Sequence, residues 1–332
     1  MKTQEFHRNL AMTVIGGGTG LSVLLRGIKN LTNNITAIVT AADDGGSSGR
    51  LREDFDIIPM GDLRSCLVAM AKAEPLMEKV FQYRFGGNGE LAGHSMGNLL
   101  ITALTHITGD VELALKEISK ILVVRGQVLP STKEKITLWA KMRDGTLVKG
   151  ESKIPEANKP IERVFITPEN AGAVQSAVQA IREAKICVLG PGSLYTSVMP
   201  NLLVKGIADA LKETSVPKIY ICNVMTQPGE TDNYAASDHL RAIFDHMGKG
   251  TIDYTLVNNK EVAPELKETY AKEGARPVLA DRKAIESLGV KVIEADLISE
   301  TNLVRHDPQK LSQAIISLLR GLGIIPPGNH IC

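Results

Sequence analysis

The stretch Met12-Thr13-Val14-Ile15-Gly16-Gly17-Gly18-Thr19-Gly20-Leu21-Ser22-Val23-Leu24-Leu25-Arg26-Gly27-Ile28 decides the fold. It opens as an apolar strand over Met12–Ile15, crosses five small residues from Gly16 to Gly20, and continues as a helical pattern from Leu21 to Ile28. A strand that enters a helix through glycines gathers unpaired backbone N–H groups and the positive end of the helix dipole at one point. A ligand phosphate can approach that point closely. Five small residues are more than a tight turn needs. Neither of the two commonest nucleotide loops is present. There is no Gly-x-x-x-x-Gly-Lys-Ser/Thr, and a dinucleotide fingerprint read from Gly16 or Gly18 finds Leu21 or Val23 in place of its third glycine. An NAD-dependent dehydrogenase is therefore disfavoured.

Working outward, a second strand over Ile35–Val39 runs into Thr40-Ala41-Ala42-Asp43-Asp44-Gly45-Gly46-Ser47-Ser48-Gly49-Arg50. Acidic residues at the end of the second strand sit where such folds meet a ribose or a metal. Asp43 and Asp44 are candidates for a ribose, or for a hydrated Mg²⁺, which takes one or two carboxylates plus water. The plain alternative is that one of them orders the Gly45-Gly46 turn through a local side-chain bond. Ser47 and Ser48 join the candidate ligand set.

A second glycine loop matters as much. The strand Ile186–Leu189 opens into Gly190-Pro191-Gly192-Ser193-Leu194-Tyr195-Thr196-Ser197. Gly190, Pro191, Gly192, Ser193, Tyr195 and Thr196 are candidate ligand residues, with Ser193 as a simple N-cap the alternative. The two loops face one crevice if their strands flank the point where strand order reverses.

Strand-like runs alternate with helical patterns along the chain, which predicts an α/β fold: a Rossmann-like, three-layer, doubly wound and mostly parallel sheet. Further strands are expected at Leu122–Val124, Val164–Ile166, Ile219–Cys222 and Tyr254–Val257. Helices are expected at Leu63–Ala73, Met96–Thr105, Ala171–Glu183, Ser237–Met247, Pro264–Lys272 and Pro308–Arg320. Thr132 to Lys149 reads as two short strands around an Asp144-Gly145 turn, and residues 127–160 as a β-hairpin excursion from the sheet. The expected organisation is an extension over 1–11, one Rossmann-like domain over 12–323, and a tail over 324–332.

The chain has 332 residues, enough for a sizeable core. With 38 Lys and Arg against 37 Asp and Glu, the charge balance argues against a general affinity for nucleic acid or acidic membranes. Cys66, Cys187, Cys222 and Cys332 are scattered, which suits a reducing compartment and gives no zinc site. No apolar run is long enough to span a bilayer, and Met1 to Asn9 lacks a signal-peptide core. A cytoplasmic protein without membrane insertion is expected.

Other polar residues are less specific. Asp62 reads as the N-cap of a helix opening at Met60-Gly61-Asp62-Leu63-Arg64. Asn98 or His94 could point into the crevice, although no nucleophile with a matching partner is visible. Tyr270 and Arg305 are candidates for base stacking and phosphate pairing.

Taken in order, these motifs resemble the YvcK-type gluconeogenesis factors of the CofD-like family, whose namesake is 2-phospho-L-lactate transferase. The resemblance is carried by Gly16–Gly20, Thr40–Arg52, Gly61–Arg64, Gly97–Leu100, Gly190–Ser197 and Thr226-Gln227-Pro228-Gly229-Glu230-Thr231. It implies a cytosolic regulatory protein that binds UDP-sugars, notably UDP-N-acetylglucosamine, and acts in cell-shape and cell-wall precursor control during gluconeogenic growth. It further implies Asn223, Tyr270 and Arg305 as ligand contacts, a homo-oligomer, and a partner in cell-wall synthesis or a kinase. The alternative it implies is a Mg²⁺-dependent transferase acting on a nucleotide diphosphate substrate. Departures favour the binding branch. Where the transferases read Pro-Asp-Leu-Asp-Thr, this chain has Met60-Gly61-Asp62-Leu63-Arg64. Where they read Gly-Pro-Ser-Asn-Pro, it has Gly190-Pro191-Gly192-Ser193-Leu194. With 4% aromatic residues, no segment suits stacking on a flavin-like ring.

Overall fold

The computed structural model describes residues 10–72, 75–299 and 304–326. Cys332, Ala73, most of the expected N-terminal extension and the end of the tail lie outside the described residues.

The chain begins with β1 (Met12–Gly16), α1 (Gly18–Ile28) and β2 (Ile35–Val39), followed by α2 (Gly46–Phe55), α3 (Gly61–Met70), α4 (Pro75–Gln82), α5 (Met96–Thr108), α6 (Val111–Ile121) and β3 (Gln127–Pro130). An excursion follows, made of β4 (Thr137–Met142), β5 (Leu147–Lys149), α7 (Lys153–Glu156) and β6 (Ile161–Thr167). The chain then returns through α8 (Gln175–Glu183) to β7 (Ile186–Leu189), a short π-helix (Leu194–Val198), α9 (Met199–Leu203), α10 (Ile207–Glu213) and β8 (Lys218–Ile221). It ends with α11 (Ala236–Met247), β9 (Tyr254–Asn258), α12 (Pro264–Lys272), α13 (Arg282–Ser287), β10 (Lys291–Ala295) and α14 (Pro308–Gly321).

The main sheet is parallel, in the order β10-β9-β8-β7-β1-β2-β3. From β1 the chain winds outward through β2 to β3, crosses back to β7 on the other side of β1, and winds outward again. The reversal therefore falls between β1 and β7, and the crevice above their C-terminal ends is where such folds take ligands. Every residue of β1, β2, β7 and β8 is buried, as expected when helices cover both sheet faces. On α1, Leu21, Leu24, Leu25 and Ile28 recur at helical spacing and are buried against the sheet.

Three sequence expectations need correction. Leu122–Val124 is no strand: Leu122 caps α6, and Val123 takes a left-handed φ of 49° that ends the helix. The apolar run there continues a helix begun at Asp110, whose carboxylate accepts the Leu113 N–H at 3.0 Å. Val164–Ile166 does lie in a strand, but β6 pairs antiparallel with β4 in a separate sheet of order β5-β4-β6. The excursion thus begins after β3, which belongs to the main sheet, and runs through β6 rather than ending at residue 160. The predicted β4–β5 hairpin around Asp144-Gly145 is present, with Trp139 paired to Lys149. The polar stretch after Asp44 forms α2.

Candidate functional site

The two glycine loops meet over the switch point. A Cβ placed on Gly20 would lie 2.5 Å from the Pro191 carbonyl oxygen, so glycine is what lets the loops touch. Gly18 has a φ of +64°, a conformation that side-chain-bearing residues resist. Asn201 of α9, buried and unremarked in the sequence, clamps the two together: its amide donates to Gly16 O at 3.0 Å and to Ser197 O at 2.8 Å.

Beside this junction lies a cavity of ≈ 240 Å³ lined by Thr19 and Gly20 of the first loop, Pro191, Gly192 and Ser193 of the second, Asn223 to Met225 after β8, and Val304 to His306. Asn223 Oδ1 accepts the Gly192 N–H at 3.4 Å, fixing the β8 loop to the second glycine loop. Arg305 is exposed at the rim. His306 was not anticipated. Burial lowers its pKa to about 4, so the ring is neutral, and its Nε2 is buried with no hydrogen-bond partner among the described residues.

Other predicted residues face elsewhere. Tyr195 and Thr196 turn away from the crevice: the Tyr195 hydroxyl lies 2.8 Å from that of Tyr234, and Thr196 donates to Glu230 at 2.9 Å. Tyr270 does not line the cavity. Its ring packs with Val224, Val262, Ile298 and Val304, and its hydroxyl accepts the Val304 N–H at 3.1 Å. It supports the segment that carries Arg305. Ser193 occupies the N-cap position of the π-helix without a side-chain capping bond.

On the other side of the first loop lies an acidic floor. Asp62 is not the side-chain cap of α3. Its Oδ2 instead accepts the Gly18 N–H at 2.6 Å. Burial, then the charge of Asp43, raises the Asp62 carboxyl to about 6. Asp43 Oδ1 accepts the Gly45 N–H at 2.9 Å, the local turn bond weighed above. Asp44 accepts the N–H groups of Glu151 and Ser152, each at 2.9 Å, and so ties the excursion to the main sheet. Glu151 is raised to about 8, first by burial and then by Asp43, Asp44, Asp62 and Glu230.

Ser48 accepts the Gly61 N–H at 3.1 Å, linking α2 to α3. Ser47 lies 3.1 Å from His94 Nδ1 and accepts from Asn98 at 3.2 Å, while Asn98 Oδ1 accepts Arg64 Nε at 2.8 Å. Among the described residues no group of three or more His, Cys, Asp and Glu has metal-holding geometry. Also among them, no helix is long and apolar enough to cross a membrane.

Glycine loops back to back at the switch point of a doubly wound sheet define a Rossmann-like α/β protein with a crevice above its strand ends. The chain belongs to the CofD family: the family model described as 2-phospho-L-lactate transferase CofD matches residues 12–298. A gluconeogenesis factor from Halalkalibacterium halodurans is 53% identical over 306 residues, covering 92% of this chain and 95% of that protein. A gluconeogenesis factor from Bacillus subtilis is 49% identical, covering 93% of this chain and 98% of that one. A crystal structure of a Bacillus halodurans protein superposes with a TM-score of 0.90 at 52% identity, covering 92% of this chain and 99% of that one.

Sequence reasoning located the two loops because glycine runs and strand ends are local signals, whereas Arg305, which lines the cavity, entered through the family resemblance. It missed Asn201, His306, Glu151 and Glu230 as site-building groups, since each acts through contacts far away in sequence. The Thr226–Thr231 motif contained Glu230 but did not show that it was buried.

Proposed function

We propose that this protein is a nucleotide-sugar-binding regulatory protein of gluconeogenic growth that takes a UDP-sugar, with UDP-N-acetylglucosamine the leading candidate, in the crevice between its glycine loops. The cavity's lining carries the reading: two glycine-rich backbone segments and Arg305, whose guanidinium has no ion-pair partner among the described residues, converge on one space, the donor set a diphosphate requires. Tyr270 holds the Arg305 segment in place. The role in gluconeogenic growth rests on the names of the close relatives. The reading also puts the protein in the cytoplasm.

The test is calorimetry and thermal shift with UDP-N-acetylglucosamine, GDP and NAD. UDP-N-acetylglucosamine should raise the melting temperature by mass action, and NAD should not. Arg305→Ala should lower UDP-sugar affinity by at least about tenfold, the loss of one charge-assisted contact. A shift with NAD alone would sink the reading.

A second reading is favoured by the acidic floor: a Mg²⁺-dependent transferase acting on a nucleotide diphosphate. Asp43 and Asp62 are carboxylates whose mutual repulsion a divalent cation would relieve, whereas both oxygens of Asp44 already accept backbone N–H groups. When bound, Mg²⁺ would neutralise phosphate charge beside the first loop. Chromatography after long incubation with Mg²⁺ decides: an intact UDP-sugar supports the sensor, and steady release of UDP or sugar phosphate supports the enzyme.

A further inference from the structure

The first glycine loop has a second cavity on its other flank. It measures ≈ 240 Å³ and is lined by Thr19, Ser22 and Arg26 of α1, Arg64, Ser65 and Val68 of α3, Gln82 at the end of α4, and Arg84 just beyond it. Thr19 lines this cavity and the crevice alike.

Three guanidinium groups from three segments face one space. Among the described residues, none of Arg26, Arg64 and Arg84 has a carboxylate partner within the 4.0 Å of an ion pair. Ion pairs such as Arg182 with Glu213 at 3.0 Å and Arg282 with Glu294 at 2.9 Å occur elsewhere in the chain, and other arginines stand without one; what sets these three apart is that they line one cavity together. Arg64 is half-buried and held in place by Nε donating to Asn98 Oδ1 at 2.8 Å. Arg84 is anchored through Nη1 to Gly93 O at 2.5 Å. Burial, and then the repulsion of Arg84, lower the Arg64 pKa, and Arg84 acts more strongly than Asp62 or Asp43 taken singly. Gln82 is bonded to Glu78 at 3.1 Å, which places the nearest acid of α4 on the amide and not on a guanidinium. Thr19 adds a hydroxyl at the same wall, whereas the Ser22 and Ser65 hydroxyls turn back and donate to Gly18 O at 3.4 Å and Gly61 O at 2.9 Å.

Uncompensated like charges that converge on a cavity are unfavourable unless an anion neutralises them. Guanidinium forks approaching from several directions suit a tetrahedral dianion better than a planar one. The space exceeds a bare phosphate, since each water occupies about 30 Å³ of liquid.

We propose that the Arg26–Arg64–Arg84 cavity is a second ligand site, separate from the crevice, that takes a small phosphomonoester such as a sugar phosphate. Its occupant would touch the first glycine loop through Thr19 from the flank opposite the crevice ligand.

The test uses the full chain, with glucose 6-phosphate, inorganic phosphate and citrate as probes in calorimetry and thermal shift, each with and without UDP-N-acetylglucosamine. The variant is Arg26→Gln combined with Arg84→Gln; both side chains are exposed, and its unliganded melting temperature should match that of the wild type. Glucose 6-phosphate should bind the wild type and lose at least tenfold in affinity in the variant, while the response to UDP-N-acetylglucosamine is the same in both proteins. Equal titration of both proteins, or no response to glucose 6-phosphate, overturns the site. Tighter binding of citrate overturns the ligand class, and competitive displacement by UDP-N-acetylglucosamine overturns the separation from the crevice. The wild-type-against-variant difference does not depend on any UDP-sugar binding, so it stands or falls apart from the crevice reading.

Discussion

The two glycine loops occupy matching places at the ends of β1 and β7 and are built in opposite ways. The first works through its backbone: Gly18 adopts a left-handed φ and gives its N–H to Asp62, while Gly20 lets the neighbouring loop approach. The second works through side chains turned inward. Tyr195 meets Tyr234, and Thr196 and the Tyr195 N–H both reach the buried Glu230. A loop that relies on its backbone tolerates no side chain where the ligand or a neighbour must come close. A loop that relies on side chains depends on a distant anchor.

The largest effect is expected at the first loop. Gly18→Val forces a β-branched residue into positive φ, at a cost of about 1–3 kcal/mol in stability, and denaturant melts should show it. The same change removes the geometry that presents the loop's N–H groups, so titration of the folded variant with UDP-N-acetylglucosamine should give no measurable heat. A folded variant that binds like the wild type would show that the first loop is only a turn.

The second loop should fail at its anchor. Glu230→Ala leaves the Thr196 hydroxyl and the Tyr195 N–H without their acceptor in a buried setting, a loss of about 1–3 kcal/mol read from the same melts. Burial raises the Glu230 carboxyl from 4.5 to about 7. The folded state therefore keeps a proton that the unfolded chain releases. That stabilisation is complete below the unfolded value and disappears as pH rises through 7, so Glu230 makes stability fall with pH across this window. Glu230→Gln, which cannot titrate, should flatten that part of the pH profile. An unaltered slope would mean that Glu230 is ionised throughout and that the second loop is anchored by a charge.

The same contrast explains what could be read in the sequence. The first loop, the strand Ile186–Leu189 and the helix Pro264–Lys272 were legible because glycine runs, apolar strands and Pro at a helix start are local signals. Strand order was not, yet it decides that Gly20 meets Pro191 and not some other loop. Leu122–Val124 misled because a β-branched run at a helix end has the composition of a strand. Asp62 misled for the opposite reason: its position fits a cap, but a loop 44 residues away offers its carboxylate a better donor. Residues whose work is to join distant segments, such as Asn201 and Glu230, carry no local mark of it.

The smallest effect should come from Tyr270, where two roles predict different outcomes for one substitution. If its ring stacked on a base, Tyr270→Phe would keep the aromatic face and bind as the wild type does. The structure instead has the hydroxyl accept the Val304 N–H, next to Arg305, with the ring among Val224, Val262, Ile298 and Val304. Phe keeps that packing and loses only the hydrogen bond, worth about 0.5–1.5 kcal/mol. Where that bond holds the Arg305 segment in its binding position, UDP-sugar affinity should fall by about 2- to 10-fold, with little change in melting temperature. Combining Tyr270→Phe with Arg305→Ala sharpens the test. If Tyr270 acts by positioning Arg305, the double variant should bind no worse than Arg305→Ala alone, because the group being positioned is gone. Additive losses would instead give Tyr270 a contact of its own with the ligand, and the crevice would have to reshape around the nucleotide to bring that ring to its surface.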